Sequence, residues 1–113
     1  MIKKKLLIFG SEGGLGKKII SLVNKKFVII KIHKKVLNFD KAKMHTKIRR
    51  ILSKYEPDII INTSGVLGNN NSRYQDVFNT NFGSNWEIIK FYLQKKLSKK
   101  IKIVLIGSTS YNK

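Results

Sequence analysis

The chain has 113 residues, a length that accommodates a single domain spanning residues 1–113. It has no cysteine, which excludes disulfides and thiolate metal sites and fits a reducing cytoplasm, and no apolar run approaches the roughly 18 residues of a membrane-spanning helix. The net charge of +18 is the excess of 24 cationic residues over six acidic ones. The cationic residues are scattered lysines except for Arg49, Arg50 and Arg73. We therefore interpret the charge as a solvated surface and expect no nucleic-acid or membrane partner.

The first half of the chain predicts strands that alternate with helices. Residues 5–9 form a continuous apolar run, which is typical of a parallel strand buried on both faces. After a glycine-rich turn, apolar residues at helical spacing predict a helix that reaches residue 23. A second strand is predicted at residues 27–32, and residues 36–40 predict a very short third strand that ends in an acid.

The second half continues the same alternation. An amphipathic helix is predicted at residues 41–55, and Pro57 stops it. Residues 58–62 predict a buried strand, and residues 101–106 predict a last strand that is covered on both faces. Between these two strands, a glycine- and asparagine-rich loop leads into a long helix over about residues 75–97. The apolar residues that mark this helix are Phe78, Phe82, Trp86, Ile89, Leu93 and Leu97.

Strands that alternate with helices predict right-handed βαβ units and an α/β fold with a parallel sheet. We expect the strand order 3-2-1-4-5, with the third strand very short or absent and with helices on both faces. The four glycines at positions 10, 13, 14 and 16 lie at the first strand-to-helix crossing, where such Rossmann-like sheets bind phosphate groups. Glycines there permit a tight turn and close approach of a pyrophosphate, and the helix N-terminus offers unpaired N–H groups and a favourable dipole. The candidate cofactor-binding residues are Gly10, Ser11, Glu12, Gly13, Gly14, Leu15 and Gly16.

The glycine spacing resembles the short-chain dehydrogenase/reductase superfamily in two ways. The pattern Gly10-xxx-Gly14-x-Gly16 resembles the simple members, and Gly10-xx-Gly13-xx-Gly16 resembles the extended, nucleotide-sugar-modifying members. Three later stretches, "NTSG" at 62–65, "NTNFGSN" and "IVLIGSTS", resemble family motifs and occur in the family order. The stretch "KYEPDIIIN" resembles the branch of dTDP-4-dehydrorhamnose reductases and sugar epimerases, so both branches stay open.

The resemblance implies an NAD(P)-dependent oxidoreductase that transfers a hydride between a nicotinamide and its substrate. The substrate would be a small carbonyl compound or alcohol, or a nucleotide sugar. It implies that Ser108 hydrogen-bonds the substrate oxygen, with Ser110 as the alternative hydroxyl, and that Asn81 holds a proton-relay water. It also implies cofactor contacts from a segment after the buried strand and leaves a homo-oligomer open. The residues of that segment are Asn62, Thr63, Ser64 and Gly65.

The sequence departs from the family at the catalytic Tyr-x-x-x-Lys, which should follow the serine on the next helix. Tyr92 and Lys96 have this spacing but precede Ser108, so we interpret the match as chance. We therefore expect the N-terminal part of a longer enzyme or a truncated gene product, with a sheet truncated after the last strand and no turnover on its own. A fragment of an extended-type epimerase, dehydratase or reductase and a non-catalytic dinucleotide-binding module are the alternatives.

Cofactor preference depends on the end of the second strand, where an acid hydrogen-bonds the ribose hydroxyls of NAD. The stretch "KIHKK" at 31–35 has no acid there, and its basic residues, including His33, favour NADP over NAD. By resemblance, Asp40 would lie near the adenine. His33 and His45 are too isolated for a metal site, and we expect His45 to be solvated on its lysine-rich helix.

Overall fold

The computed structural model describes residues 3–33, 41–63, 83–95 and 100–105. Within these residues the strands are β1 Lys5–Phe9, β2 Val28–Ile32, β3 Ile59–Asn62 and β4 Lys102–Leu105. The helices are α1 Gly14–Val23, α2 Lys41–Tyr55 and α3 Ser84–Gln94. Each of these elements falls where the apolar pattern predicts one, and the predicted strand at residues 36–40 lies outside the described residues.

The sheet is parallel throughout and its strands lie in the order β2-β1-β3-β4. This is the predicted order for the four strands that the structure describes. In the register, Phe9 lies opposite both Ile32 and Asn62, and Asn62 lies opposite Leu105. The carboxyl ends of all four strands therefore meet at one edge of the sheet, which is the edge that carries the candidate site.

The main core lies on one face of the sheet, where α2 and α3 pack against the strands. Leu6 and Ile8 point to the other face and are also buried, so β1 is covered on both faces. From β1 the chain moves to β2 on one side, and from β2 it returns past β1 to β3 on the other side. Because both crossovers are right-handed, the two opposite directions place α1 on the face opposite α2. The buried residues of the core are Leu7, Phe9, Ile32, Met44, Ile48, Leu52, Ile60, Ile88 and Phe91.

Helix α2 has the predicted bounds, whereas α3 differs from its prediction in two respects. It ends at Gln94, because Lys95 already has an extended backbone, so the predicted end at residue 97 is wrong. It also buries Ile88 and Phe91, whereas Trp86 and Leu93 from the predicted apolar set are 44% and 73% exposed. The apolar residues of this helix lie on several of its sides, so the pattern alone does not decide which side faces the core.

Strand β4 is packed on one face only within the described part of the chain. Ile103 and Leu105 are half-buried, but Lys102 is exposed and Val104 is 40% exposed. The described neighbours therefore do not supply the second cover that the apolar run predicts, as expected for a sheet truncated after this strand. Among the described helices, none combines the length and apolar character needed to cross a membrane.

Candidate functional site

The glycine-rich segment forms a tight turn between β1 and α1 at the carboxyl edge of the sheet. Gly10 has φ of 80°, a backbone conformation that residues with a side chain rarely adopt. Its N–H donates to the Ile32 carbonyl oxygen at 2.9 Å, and its own carbonyl oxygen accepts the Gly13 N–H at 3.2 Å. These two bonds fix the turn against the end of β2 on one side and against the start of α1 on the other.

Gly16 allows the first turn of α1 to approach the loop closely. A Cβ at Gly16 would lie 2.3 Å from the Gly10 carbonyl oxygen and 3.0 Å from the Ser11 Cα. No side chain fits there without displacing backbone. By contrast, a Cβ on Gly13 would make an ordinary contact at 3.5 Å, and one on Gly14 would meet nothing within 4 Å. The glycines thus divide into one that closes the loop and two that leave the helix N-terminus open to a ligand.

Within the described residues, the N-terminus of α1 has backbone donors that the helix leaves without an acceptor, an arrangement suited to an anion. The first bond within the helix runs from the Lys17 N–H to the Gly13 carbonyl oxygen at 2.9 Å. The amides of Gly14, Leu15 and Gly16 therefore have no acceptor inside the helix. Gly13 is the N-cap and offers no side-chain cap, and the first turn carries no acid. Backbone N–H groups and the helix dipole together favour a phosphate at this position.

Thr63, the first residue after β3, ties the glycine turn to the neighbouring strand. Its hydroxyl lies 2.8 Å from the Phe9 carbonyl oxygen and 3.1 Å from that of Gly10, so its proton is shared between them. The Thr63 N–H also donates to the Phe9 carbonyl oxygen at 3.0 Å. The structure therefore gives Thr63 a role in holding the turn through its hydroxyl.

Substituting Thr63→Val, which removes the hydroxyl at nearly constant volume, should loosen the turn. We expect a loss of about 1 kcal/mol in the free energy of unfolding, the usual net value of one hydrogen bond. The Gly13 amide should also exchange faster with solvent, because its acceptor at Gly10 is held less firmly. Urea unfolding and amide exchange measure the two effects. Thr63→Ser keeps the hydroxyl and is the control; equal behaviour of the two variants would contradict this role.

Asn62 joins the end of β3 to the start of α3. Its side chain is 3% exposed, and its amide nitrogen donates to Ser84 Oγ at 2.9 Å and to Asn85 Oδ1 at 2.6 Å. The sequence interpretation placed Asn62 among the cofactor contacts and missed both partners. The polar "GSN" that opens α3 was the available signal, because small polar residues at a helix start are often buried hydrogen-bonding groups.

Glu12 extends from the glycine turn over the end of β2. Its Oε1 lies 3.9 Å from Nδ1 of His33, which is the residue directly after β2. The side chains of Glu12 and His33 are 27% and 45% exposed, so both can reach a ligand at this edge. The structure thus brings a carboxylate and an imidazole together beside the turn.

A second ionic cluster lies between α2 and α3. The Glu87 carboxylate is 3% exposed and is hydrogen-bonded to the His45 ring, and its other oxygen lies 3.1 Å from Lys90 Nζ. Burial alone would raise the pKa of the Glu87 carboxyl, but hydrogen bonds and positive charge from His45 and Lys90 outweigh it and hold that pKa below its ordinary value. The expectation that His45 is solvated is therefore correct only in part, because its side chain is 37% exposed but its ring is paired with Glu87. The sequence did not indicate this cluster because its partners come from different helices.

Tyr92 lies at the opposite edge of the sheet. It lines a small cavity with Glu56, Pro57 and Ile101, which precede β3 and β4 at their amino ends. Burial, with a smaller effect from the Glu56 charge, raises the pKa of Tyr92 to about 12. A phenol at the opposite edge of the sheet, with a raised pKa, is unsuited to acid–base chemistry at the glycine turn. Its position therefore supports the interpretation of its spacing to Lys96 as chance.

The structure brings together every candidate site residue that it describes. The glycine turn, Glu12, His33, Asn62 and Thr63 all lie at the carboxyl edge of the sheet. The other candidates fall outside the described residues, so their placement is not tested. These are Asp40, Ser64, Gly65, Asn81 and Ser108.

No family model and no curated protein sequence matches the chain. Solved structures do share its fold. A dTDP-4-dehydrorhamnose reductase from Bacillus anthracis in complex with NADP has a TM-score of 0.67 and 19% identity, over 78% of this chain and 31% of that protein. A small-chain dehydrogenase in complex with NADPH has a TM-score of 0.64 and 14% identity, over 90% of this chain and 50% of that protein.

The enzyme WbmH from Bordetella bronchiseptica in complex with NAD+ has a TM-score of 0.58 and 15% identity, over 80% of this chain and 35% of that enzyme. The match covers half or less of the length of each of these three proteins. At such identities the likeness concerns the fold. The described part of the chain has the Rossmann-like α/β fold that these three proteins share, and the predicted fold class is confirmed.

Proposed function

We propose that the chain is the dinucleotide-binding part of an NAD(P)-dependent oxidoreductase of the short-chain dehydrogenase/reductase type. The observation that carries the proposal is the close approach of Gly16 to Gly10, which closes the β1–α1 turn and leaves the first amides of α1 without an acceptor inside the helix at the carboxyl edge. Complexes of three proteins of this fold with NADP, NADPH or NAD+ support it. Ligands in open α/β sheets bind at this edge.

The residues present fit such a cofactor. The amides of Gly14, Leu15 and Gly16 would hold the pyrophosphate, and the empty space beside the Gly14 Cα lets it approach the backbone. The end of β2 would receive the adenosine ribose. A bound nicotinamide would supply hydride transfer. The contribution of this chain is to bind and orient the dinucleotide, with the turn held by Thr63 and the Ile32 carbonyl.

The further chemistry of the enzyme belongs to the proposal. Ser108 would polarise the substrate oxygen and Asn81 would hold a water for proton relay, acting on a small carbonyl compound or alcohol. A nucleotide-sugar substrate is the second candidate, and it is favoured by the "KYEPDIIIN" stretch together with the fold shared with the dTDP-4-dehydrorhamnose reductase. A non-catalytic dinucleotide-binding module is the third.

Titration of the full chain with NAD+ and with NADP+, followed by amide NMR, tests the binding step. At least one nucleotide should shift the amide signals of Gly14, Leu15 and Gly16 in a saturable manner. The Glu56 and Ile101 amides at the opposite edge should stay unchanged, and Tyr92→Phe should bind with the affinity of the wild type. Absence of saturable shifts at the turn with both nucleotides would contradict the proposed function.

A further inference from the structure

The glycine turn places a carboxylate at the end of β2, where the strand itself has none. The N–H groups of Gly10 and Ser11 point at the Ile32 carbonyl oxygen, at 2.9 and 3.4 Å, so the turn lies directly over the end of this strand. Glu12 is the next residue, and its Oε1 lies 3.9 Å from Nδ1 of His33, the first residue beyond the strand. Glu12 therefore carries its negative charge to the position that the second strand normally controls.

That position decides between the two nicotinamide dinucleotides. In Rossmann-like sheets an acid at the end of the second strand hydrogen-bonds the free ribose 2′-hydroxyl, and a basic residue there accommodates the 2′-phosphate. A carboxylate accepts hydrogen bonds from hydroxyl groups, but it repels a phosphate group that carries further negative charge. His33 beside Glu12 brings positive charge only when it is protonated.

We propose that Glu12 is the cofactor-specificity residue of this chain and that, from the glycine turn, it selects NAD over NADP. This inference rests on the proposed dinucleotide function and deepens it. It is opposite to the preference for NADP that the basic stretch 31–35 predicts from sequence, and Lys34 and Lys35 of that stretch lie outside the described residues. The two views therefore make opposite predictions for the same measurement.

Calorimetric titration of the full chain with NAD+ and NADP+ at fixed ionic strength measures the preference. The wild type should bind NAD+ more tightly. Glu12→Gln, which keeps the size of the side chain but removes its charge, should shift the ratio of affinities toward NADP+ by on the order of tenfold. Glu12→Lys should shift the ratio further in the same direction. Both shifts should shrink in about 0.5 M salt, roughly threefold above physiological ionic strength, because they act through charge.

Glu56→Gln is the matched control, since it removes a carboxylate at the opposite edge of the sheet and should leave the ratio unchanged. Thermal unfolding verifies that each variant is folded. An unchanged ratio in both Glu12 variants, or a wild type that prefers NADP+, would overturn the inference while leaving dinucleotide binding intact. Failure of the proposed function has a different signature, because then neither nucleotide binds to the wild type and the inference falls with it.

Discussion

Gly16→Ala should destabilise the chain by on the order of 3 kcal/mol, although it adds a single methyl group to a helix. The new Cβ would lie 2.3 Å from the Gly10 carbonyl oxygen, and the atoms it meets are backbone rather than the movable end of a side chain. The turn or the start of α1 must therefore shift. Against a typical total stability of about 5–15 kcal/mol, this is a large fraction. Urea unfolding followed by circular dichroism, without nucleotide, gives the difference.

Gly14→Ala is the matched control for this change. It adds the same methyl group two residues earlier in the same helix, at a position where nothing lies within 4 Å. Because alanine is a better helix former than glycine by up to about 1 kcal/mol, this variant should keep or slightly increase the stability. Gly16→Val should in addition lose nucleotide binding by calorimetry. Equal stabilities of the two alanine variants would show that the close approach at Gly16 is not required.

Glu87→Gln should cost about 1–3 kcal/mol in the free energy of unfolding at neutral pH. The carboxylate is almost fully buried and accepts hydrogen bonds from both His45 and Lys90. The amide of glutamine retains one acceptor oxygen, so one of the two donors loses its partner and the charge attraction disappears. His45 and Lys90 are 37% and 29% exposed and can recover some hydration, which keeps the expected loss moderate.

The effect of Glu87→Gln should depend on pH in a defined direction. The folded-state pKa of Glu87 is depressed, so its charge stabilises the fold above the pKa of an unfolded glutamate, about 4.3. That contribution is lost as the pH falls through the folded-state pKa. The gap in stability between the wild type and the variant should therefore be widest near neutral pH and should close in acid. Urea unfolding at several pH values follows the gap.

Glu12→Gln serves as the control for charge removal at a more exposed pair. Glu12 and His33 are 3.9 Å apart and partly solvated, so their interaction should contribute only about 0–1 kcal/mol to folding. A Glu87→Gln variant that loses no more stability than Glu12→Gln, or a gap that does not change with pH, would contradict the role assigned to the buried cluster.

The order of the elements and the position of the turn could be predicted because their signals are local. Residues 6–9 of the first run are buried on both faces of β1, and α2 begins and ends where its apolar spacing and Pro57 indicate. The alternation of these elements then leaves few topologies for a parallel sheet. The glycine turn was recognisable because closely spaced glycines at a strand-to-helix crossing indicate a tight backbone turn. Contacts at the turn were not predictable: Thr63 is predicted only as a cofactor-binding residue, and no local pattern indicates that its hydroxyl holds the Phe9 and Gly10 carbonyls.

The sequence by itself determined the fold class, the parallel strand order and the place of the glycine turn, since periodicity and glycine spacing act over a few neighbouring residues. Only the tertiary structure decided which face α3 buries. The apolar residues of that helix lie on several sides, so the buried face depends on how the helix packs against the sheet and α2. The structure also decided the partners of the buried polar groups. Asn62 and Ser84 are 22 residues apart and His45 and Glu87 are 42 apart, and no local pattern brings such residues together. The sheet and the crossovers bring them together, and the cost of leaving a buried polar group unpaired selects the pairs that form.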